Sequence, residues 1–272
     1  MKNFAQERFD HAQELIYQAG KALYQAKLEQ SAISEKSGHQ DLVTRWDQQT
    51  EQFLRRSIMK TFAEDSIVGE EYSSMGGESA AMAVNNSCTW YIDPIDGTTN
   101  FINQHRHYAI SIGCYQAEEP LFGLVLDVEQ QELYWACRGE GAFCNETQLH
   151  TSQREQISQL LLNTPGVLYT FLKPHSCRDG LIRLAHDVRG VRSMGSVALE
   201  LCAVAAGESD LLVAMRSSPW DHNAARIILN EAGGSICALS GQPLPLDSAS
   251  PILAANSQSL LQKIWREYCQ GE

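Results

Sequence analysis

The chain has 272 residues, 43% of them apolar and 20% charged, which is enough for a sizeable core and excludes a disordered or fibrous protein. Its net charge of −12 argues against broad contact with nucleic acid or anionic lipid. An anionic small substrate suits such a chain only where bound cations reverse the local field.

Phe9, Ala12, Ile16, Ala19 and Leu23 recur at three- and four-residue intervals and predict one face of a long helix. Gly38-His39-Gln40-Asp41 interrupts the pattern. A second helix is predicted over 44–62, with Trp46, Phe53, Leu54, Ile58 and Met59 available for packing. From Ser66 the texture turns to short strand-like runs, at 66–69, 89–92, 108–113, 121–126 and 132–136, separated by turn residues as in an antiparallel meander. Arg138-Gly139-Glu140-Gly141 reads as a tight turn before Ala142-Phe143-Cys144. The polar stretch 147–158 is read as the crossing between two halves, 1–146 and 147–272. The second half alternates strands, at 159–162 and 211–213, with helices near 179–185, 197–206 and 221–232, giving a mixed α/β architecture.

Eight cysteines are scattered without a Cys-x-x-Cys pair, several of them in apolar runs, and read as small buried thiols in a reducing compartment. The first residues lack the apolar core of a signal peptide, and no apolar run approaches the roughly 20 residues that span a bilayer. A soluble, cytoplasmic protein is expected.

The most informative segment is Trp90-Tyr91-Ile92-Asp93-Pro94-Ile95-Asp96-Gly97-Thr98-Thr99-Asn100-Phe101. An apolar strand delivers Asp93, Pro94 keeps it extended, and Gly97 permits a backbone geometry that other residues resist. Thr98-Thr99 can open a helix whose free N–H groups attract phosphate. Paired carboxylates beside such a helix suit Mg²⁺, which prefers hard oxygen ligands. Taken alone, Asp-Pro-x-Asp-Gly serves equally well as a turn.

The full segment resembles the signature of the inositol monophosphatase family. The resemblance extends upstream to Asp41-Leu42-Val43-Thr44, Asp47 and Gly69-Glu70-Glu71. Downstream it takes in residues 139–145, Arg192-Ser193-Met194-Gly195-Ser196, Trp220-Asp221 and Glu231-Ala232-Gly233-Gly234. It implies a layered α-β-α-β-α sandwich, with the site between the halves. It further implies Mg²⁺-dependent hydrolysis of phosphate monoesters, two or three ions per site, lithium sensitivity, a homodimer, and no nucleic-acid or membrane partner. Glu70, Asp93, Asp96 and Asp221, with the Ile95 carbonyl, match the family's metal ligands. Thr98, supported by Asp47 and Glu70, matches the group that orients the attacking water. Gly97-Thr98 and Gly195-Ser196 match the phosphate- and polyol-contacting loops, and Asp96 and Asp221 also face substrate.

Glu71 is read as joining a hydrogen-bond network, His222 as a structural neighbour of Asp221, and Lys36 either as an exposed lysine or as standing near the metals. His105 and His107 have no cysteine partners for zinc. Two departures bear on the substrate. His222-Asn223-Ala224-Ala225 replaces the family's small trio after Asp221, placing Asn223 near the site and moving the small pair one position on. Ala214 stands where inositol-preferring members often carry a glutamate, so inositol 1-phosphate and related polyol or sugar phosphates share the field. A nucleotide 3′-phosphate, fructose 1,6-bisphosphate and histidinol phosphate also remain open, as does a non-catalytic regulatory protein. Ala214→Glu is expected to raise the preference for inositol 1-phosphate, unless Arg216, Ser217 or Asn223 already supplies the contact.

Overall fold

The computed structural model describes residues 2–26, 33–38, 41–74 and 87–270. Helix α1 (Lys2–Tyr24) buries the predicted stripe, with Ala12, Ile16 and Leu23 fully enclosed. The interruption before the second helix is part of a two-stranded antiparallel hairpin, β1 (Ile33–Gly38) and β2 (Asp41–Thr44). His39 and Gln40 lie outside the described residues. Helix α2 (Arg45–Thr61) starts at a capping box, in which Thr44 Oγ1 accepts from Trp46 N and Asp47 Oδ2 accepts from Thr44 N. Leu54 and Ile58 are buried, and Trp46 and Phe53 pack partly against the core. Met59 differs from expectation: one position past Ile58 on the helix, it turns to solvent.

The first sheet has seven strands in chain order: β3 (Ser66–Gly69), β4 (Thr89–Asp96), β5 (Ala109–Gln116), β6 (Glu119–Asp127), β7 (Glu132–Cys137), β8 (Ala142–Cys144) and β9 (Thr147–Leu149). β3 runs parallel to β4, and the remainder form the predicted meander. The polar stretch read as a crossing therefore opens with a strand, β9, paired to β8. Two short helices interrupt this sheet, α3 (Glu70–Ser74) after β3 and α4 (Thr98–Gln104) after β4.

The second sheet has the order β11-β10-β12-β14-β13, from β10 (Leu161–Asn163), β11 (Gly190–Arg192), β12 (Leu211–Ala214), β13 (Ser235–Ala238) and β14 (Ile252–Ala255). Its helices are α5 (Arg178–Asp187), α6 (Val197–Ala205), α7 (Pro219–Glu231) and α8 (Gln258–Ile264). Three apolar clusters define the layers. One joins α1 and α2 to the seven-stranded sheet, a second places α6 and α7 between the sheets, and a third sets α5 and α8 on the far face of the five-stranded sheet. The result is the expected α-β-α-β-α sandwich.

Two packing details matter for the site. Helix α7 lies so close to the first sheet that a methyl group on Gly123 would stand 2.2 Å from the Ala224 carbonyl oxygen, and one on Gly113 would stand 3.0 Å from Ala224 N. The displaced small pair therefore still permits close approach. Under the other face, buried Asp65 accepts from Arg8 Nε at 2.8 Å, Arg8 Nη2 at 3.0 Å, Cys88 N and Trp90 Nε1 at 2.9 Å, pinning α1 to the start of β4.

The strands after Phe101 do not supply the apolar surface expected for a dimer. β5 and most of β6 are buried within the subunit, and the exposed large apolar side chains sit instead on α1, α2, α3 and residues 167–172. All eight cysteines are free thiols. No helix among the described residues is long and apolar enough to cross a membrane.

Candidate active site

The C-terminal end of β4 organises the site. Pairing with β5 shifts register between Asp93 and Asp96, at Pro94, which has no N–H to give. Within this irregularity Asp93 Oδ1 accepts from Ile95 N at 3.0 Å. Gly97 follows with φ of +91°, and a methyl group there would stand 3.0 Å from the His107 carbonyl oxygen, so glycine is required on both counts. Thr98 then begins α4. Its hydroxyl, with one proton, has two acceptors, Ile95 O at 3.0 Å and Asp47 Oδ1 at 3.1 Å.

Each of the four aspartates commits one oxygen to its supporting structure. Asp47 Oδ2 caps α2 through Thr44 N at 2.7 Å, and Asp221 Oδ2 caps α7 through Ser218 N at 2.7 Å. Asp93 uses Oδ1 on Ile95 N, and Asp96 Oδ2 accepts from Ser196 Oγ at 2.5 Å and Ala198 N at 2.7 Å. Asp96 thus ties the end of β4 to the start of α6, a hundred residues away. The opposite oxygens are what remain for chemistry.

These carboxylates affect one another. Burial, then Glu70, Asp96 and Asp221, hold the Asp93 carboxyl well above the usual carboxylate range. Burial, then Asp96 and Glu70, raise Asp221 against the opposing hydrogen bonds from Ser218 and Asp93. Burial lifts Asp96 to about 6 against the opposing bonds from Ser196 and Ala198, and lifts Asp47 to about 6 against those from Thr44 and Thr98. Among the described residues no three acidic, His or Cys side chains already close on a common point, and Asp221 hydrogen-bonds to Asp93. The donor set nevertheless fits a hard divalent cation: close-set buried carboxylates, each with only one oxygen held by the backbone, beside the Ile95 carbonyl.

Glu70 opens α3, where the buried Glu51 carboxylate accepts from Glu71 N at 2.6 Å and Tyr72 N at 3.1 Å. Gly69 makes room for that carboxylate, which a methyl group would meet at 2.6 Å. Glu71 is buried in this network. Gly195, at φ of +87°, lies against Asn100, whose Nδ2 donates to Met194 O at 2.6 Å and His107 O at 2.9 Å. The structure thus draws Asp47, Asp93, Asp96, Gly97, Thr98, Gly195, Ser196 and Asp221 into one hydrogen-bonded and electrostatic neighbourhood that includes Glu70. The Lys36 side chain lies outside the described residues.

His222 is fully buried, its Nδ1 within 2.8 Å of Ser217 Oγ, and burial lowers it to about 3, so it is a neutral structural group. Asn223 does not reach the site as expected. It is fully buried, with Nδ2 donating to Leu246 O at 3.1 Å and its carbonyl accepting from Tyr115 Oη at 2.8 Å. Ala214, at the end of β12, is enclosed in the core between the sheets.

One functional residue escaped the sequence reading. Glu200 is fully buried, and its Oε1 accepts from Met194 N at 2.6 Å and Gly195 N at 2.9 Å, fixing the loop that presents Ser196 to Asp96. Its Oε2 has no partner among the described residues, and burial, with a contribution from Asp96, raises the carboxyl to about 7. The signal was a single acid inside the apolar run Val197-Ala198-Leu199-Glu200-Leu201-Cys202.

A family model described as the inositol monophosphatase family matches residues 5–270. The chain is 39% identical over 259 residues to an inositol-1-monophosphatase of Bacillus subtilis, covering 94% of both chains. It is 37% identical over 266 residues to human inositol monophosphatase 1, covering 96% of this chain and 94% of that one. The crystal structure of inositol monophosphatase II from Staphylococcus aureus superposes with a TM-score of 0.80 at 31% identity, covering 97% and 94% of the two chains.

Proposed function

The chain belongs to the inositol monophosphatase family and is a phosphoric monoester hydrolase; from that premise we propose that it is Mg²⁺-dependent and acts on inositol 1-phosphate or a related polyol or sugar phosphate. The observation that carries this reading is the buried Asp93–Asp96–Asp221 group beside Glu70, in which the fold holds one oxygen of each aspartate and like charge raises Asp93 and Asp221. Glu70, Asp93, Asp96, Asp221 and the Ile95 carbonyl would hold two or three ions. When bound, the ions acidify water and supply positive charge for the phosphoryl and leaving oxygens.

The chain's own part follows from its hydrogen bonds. Asp47, raised to about 6, is ionised at neutral pH and takes the Thr98 hydroxyl proton in a hydrogen bond. That leaves the Thr98 oxygen lone pairs free to orient an attacking water, with Glu70 beside them. The Gly97-Thr98 and Gly195-Ser196 backbones face the phosphate, and Glu200 keeps the second of these loops in place. Ser196 fixes Asp96 at the boundary between the sheets.

Phosphate release from a panel of monoesters, with and without Mg²⁺, tests the reading; turnover unaffected by chelation would overturn it. We also propose a lithium-sensitive homodimer working in the cytoplasm, where eight free thiols persist. Light scattering that finds a monomer at micromolar concentration overturns the dimer.

A further inference from the structure

β10 runs parallel to both β11 and β12, so the C-terminal ends of the three strands share one edge of the second sheet. Ligand crevices in α/β proteins form at such an edge. The loop after β11 carries Gly195 and Ser196, and the loop after β12 leads to Asp221. In the order β11-β10-β12, the segment after β10 emerges between those two.

That segment presents Tyr169 on a fixed base. Thr170 is fully buried, with its hydroxyl 2.7 Å from Thr164 Oγ1, and Thr164 N donates to Arg192 O at 2.9 Å. Two cations share the Tyr169 ring. Arg216, from the loop after β12, lies 5.0 Å from the ring centroid and donates through Nη1 to Tyr169 Oη at 3.1 Å. Lys173 Nζ stands 4.2 Å from the same centroid. Both side chains are exposed, and neither is ion-paired among the described residues. In a chain of net charge −12, two cations without a carboxylate partner among the described residues gather on one ring, at the sheet edge that also carries the Gly195-Ser196 loop. The hydrogen bond to Tyr169 occupies one of the guanidinium's five donors.

We propose that Arg216, Tyr169 and Lys173 form a subsite for a second anionic group on the leaving-group side, so that favoured substrates are phosphate monoesters whose alcohol carries a further phosphate or carboxylate. The inference rests on the phosphatase reading and narrows it. The guanidinium and ammonium pair the remote anion, and the ring limits where they can go.

The test compares kcat/KM, in saturating Mg²⁺, for a sugar monophosphate, the same sugar with a second phosphate, and a carboxylate-bearing analogue. The native enzyme is expected to favour the doubly anionic esters by about tenfold or more, with the advantage shrinking as salt rises. R216A and K173A each reduce that ratio at least about threefold, and Y169F, which frees Arg216 from its anchor, reduces it through KM. The control R138A alters an exposed cation on the β7–β8 turn, paired with Glu119, and keeps the native ratio. A native ratio near one, or a ratio unchanged in R216A, overturns the subsite. Failure to hydrolyse any ester overturns the phosphatase reading instead; calorimetric binding of the same sugars still reads the ratio and decides the subsite independently.

Discussion

Glu200→Gln separates the two jobs of a buried acid. The amide oxygen can accept from Met194 N and Gly195 N as Oε1 does, so the loop keeps its anchor, while the charge is lost. The folded carboxyl titrates at about 7 against an ordinary 4.5, so the folded state holds its proton more tightly than the unfolded state does. That contribution is fully present below about pH 4.5 and is lost as pH rises through 7. Linkage gives a cost to the native protein of about 1 kcal/mol at pH 5.5 and about 3 kcal/mol at pH 8.5, which the glutamine does not bear. The amide NH₂ at the Oε2 position lacks a partner, as the carboxyl's own O–H does, so that term cancels to first order. Urea unfolding at the two pH values should therefore show the stability advantage of the variant growing by about 2 kcal/mol from pH 5.5 to 8.5. A difference that does not change with pH would refute the reasoning. Glu200→Ala should behave oppositely, releasing the Met194–Ser196 loop and lowering turnover.

Asp96→Asn keeps an acceptor for Ser196 Oγ and Ala198 N and removes the charge, so circular dichroism should show a native fold while turnover falls at least about a hundredfold. Near-normal turnover in saturating Mg²⁺ would sink the metal assignment. Gly123→Ala drives a methyl group against the Ala224 carbonyl and should cost about 1–3 kcal/mol, read as a lower midpoint in thermal unfolding. Ala214→Glu places a carboxylate in a closed core position, so the panel of monoesters should lose activity together; a selective gain for inositol 1-phosphate would show that the core opens at β12.

Much of this architecture was legible because its signals are local. The stripe on α1, the helix predicted over 44–62 and the run from Trp90 to Phe101 each lie within a few turns of chain. What escaped depends on distant partners. Asp96 meets Ser196 and Arg216 meets Tyr169 only because the second sheet assembles, and no periodicity records such pairs. Asn223 was placed by its proximity to Asp221 in sequence, but on a helix residues two apart diverge by about 200°, and it turned to Leu246. The short strands β9 and β13 carry too few residues to show alternation, and α3 is held by Glu51 from another helix.

The anchoring of one oxygen on each aspartate gives the family an evolutionary exit. Asparagine keeps a carbonyl oxygen of the same reach, so Asp47, Asp93, Asp96 and Asp221 can each lose their charge while the caps of α2 and α7, the turn at Ile95 and the tie to α6 keep an acceptor. Relieved of mutual repulsion, such a descendant would be no less stable than its ancestor. The scaffold can therefore outlive its chemistry, and a pseudoenzyme of this fold would be betrayed by amides at these four positions, with the fold itself unchanged.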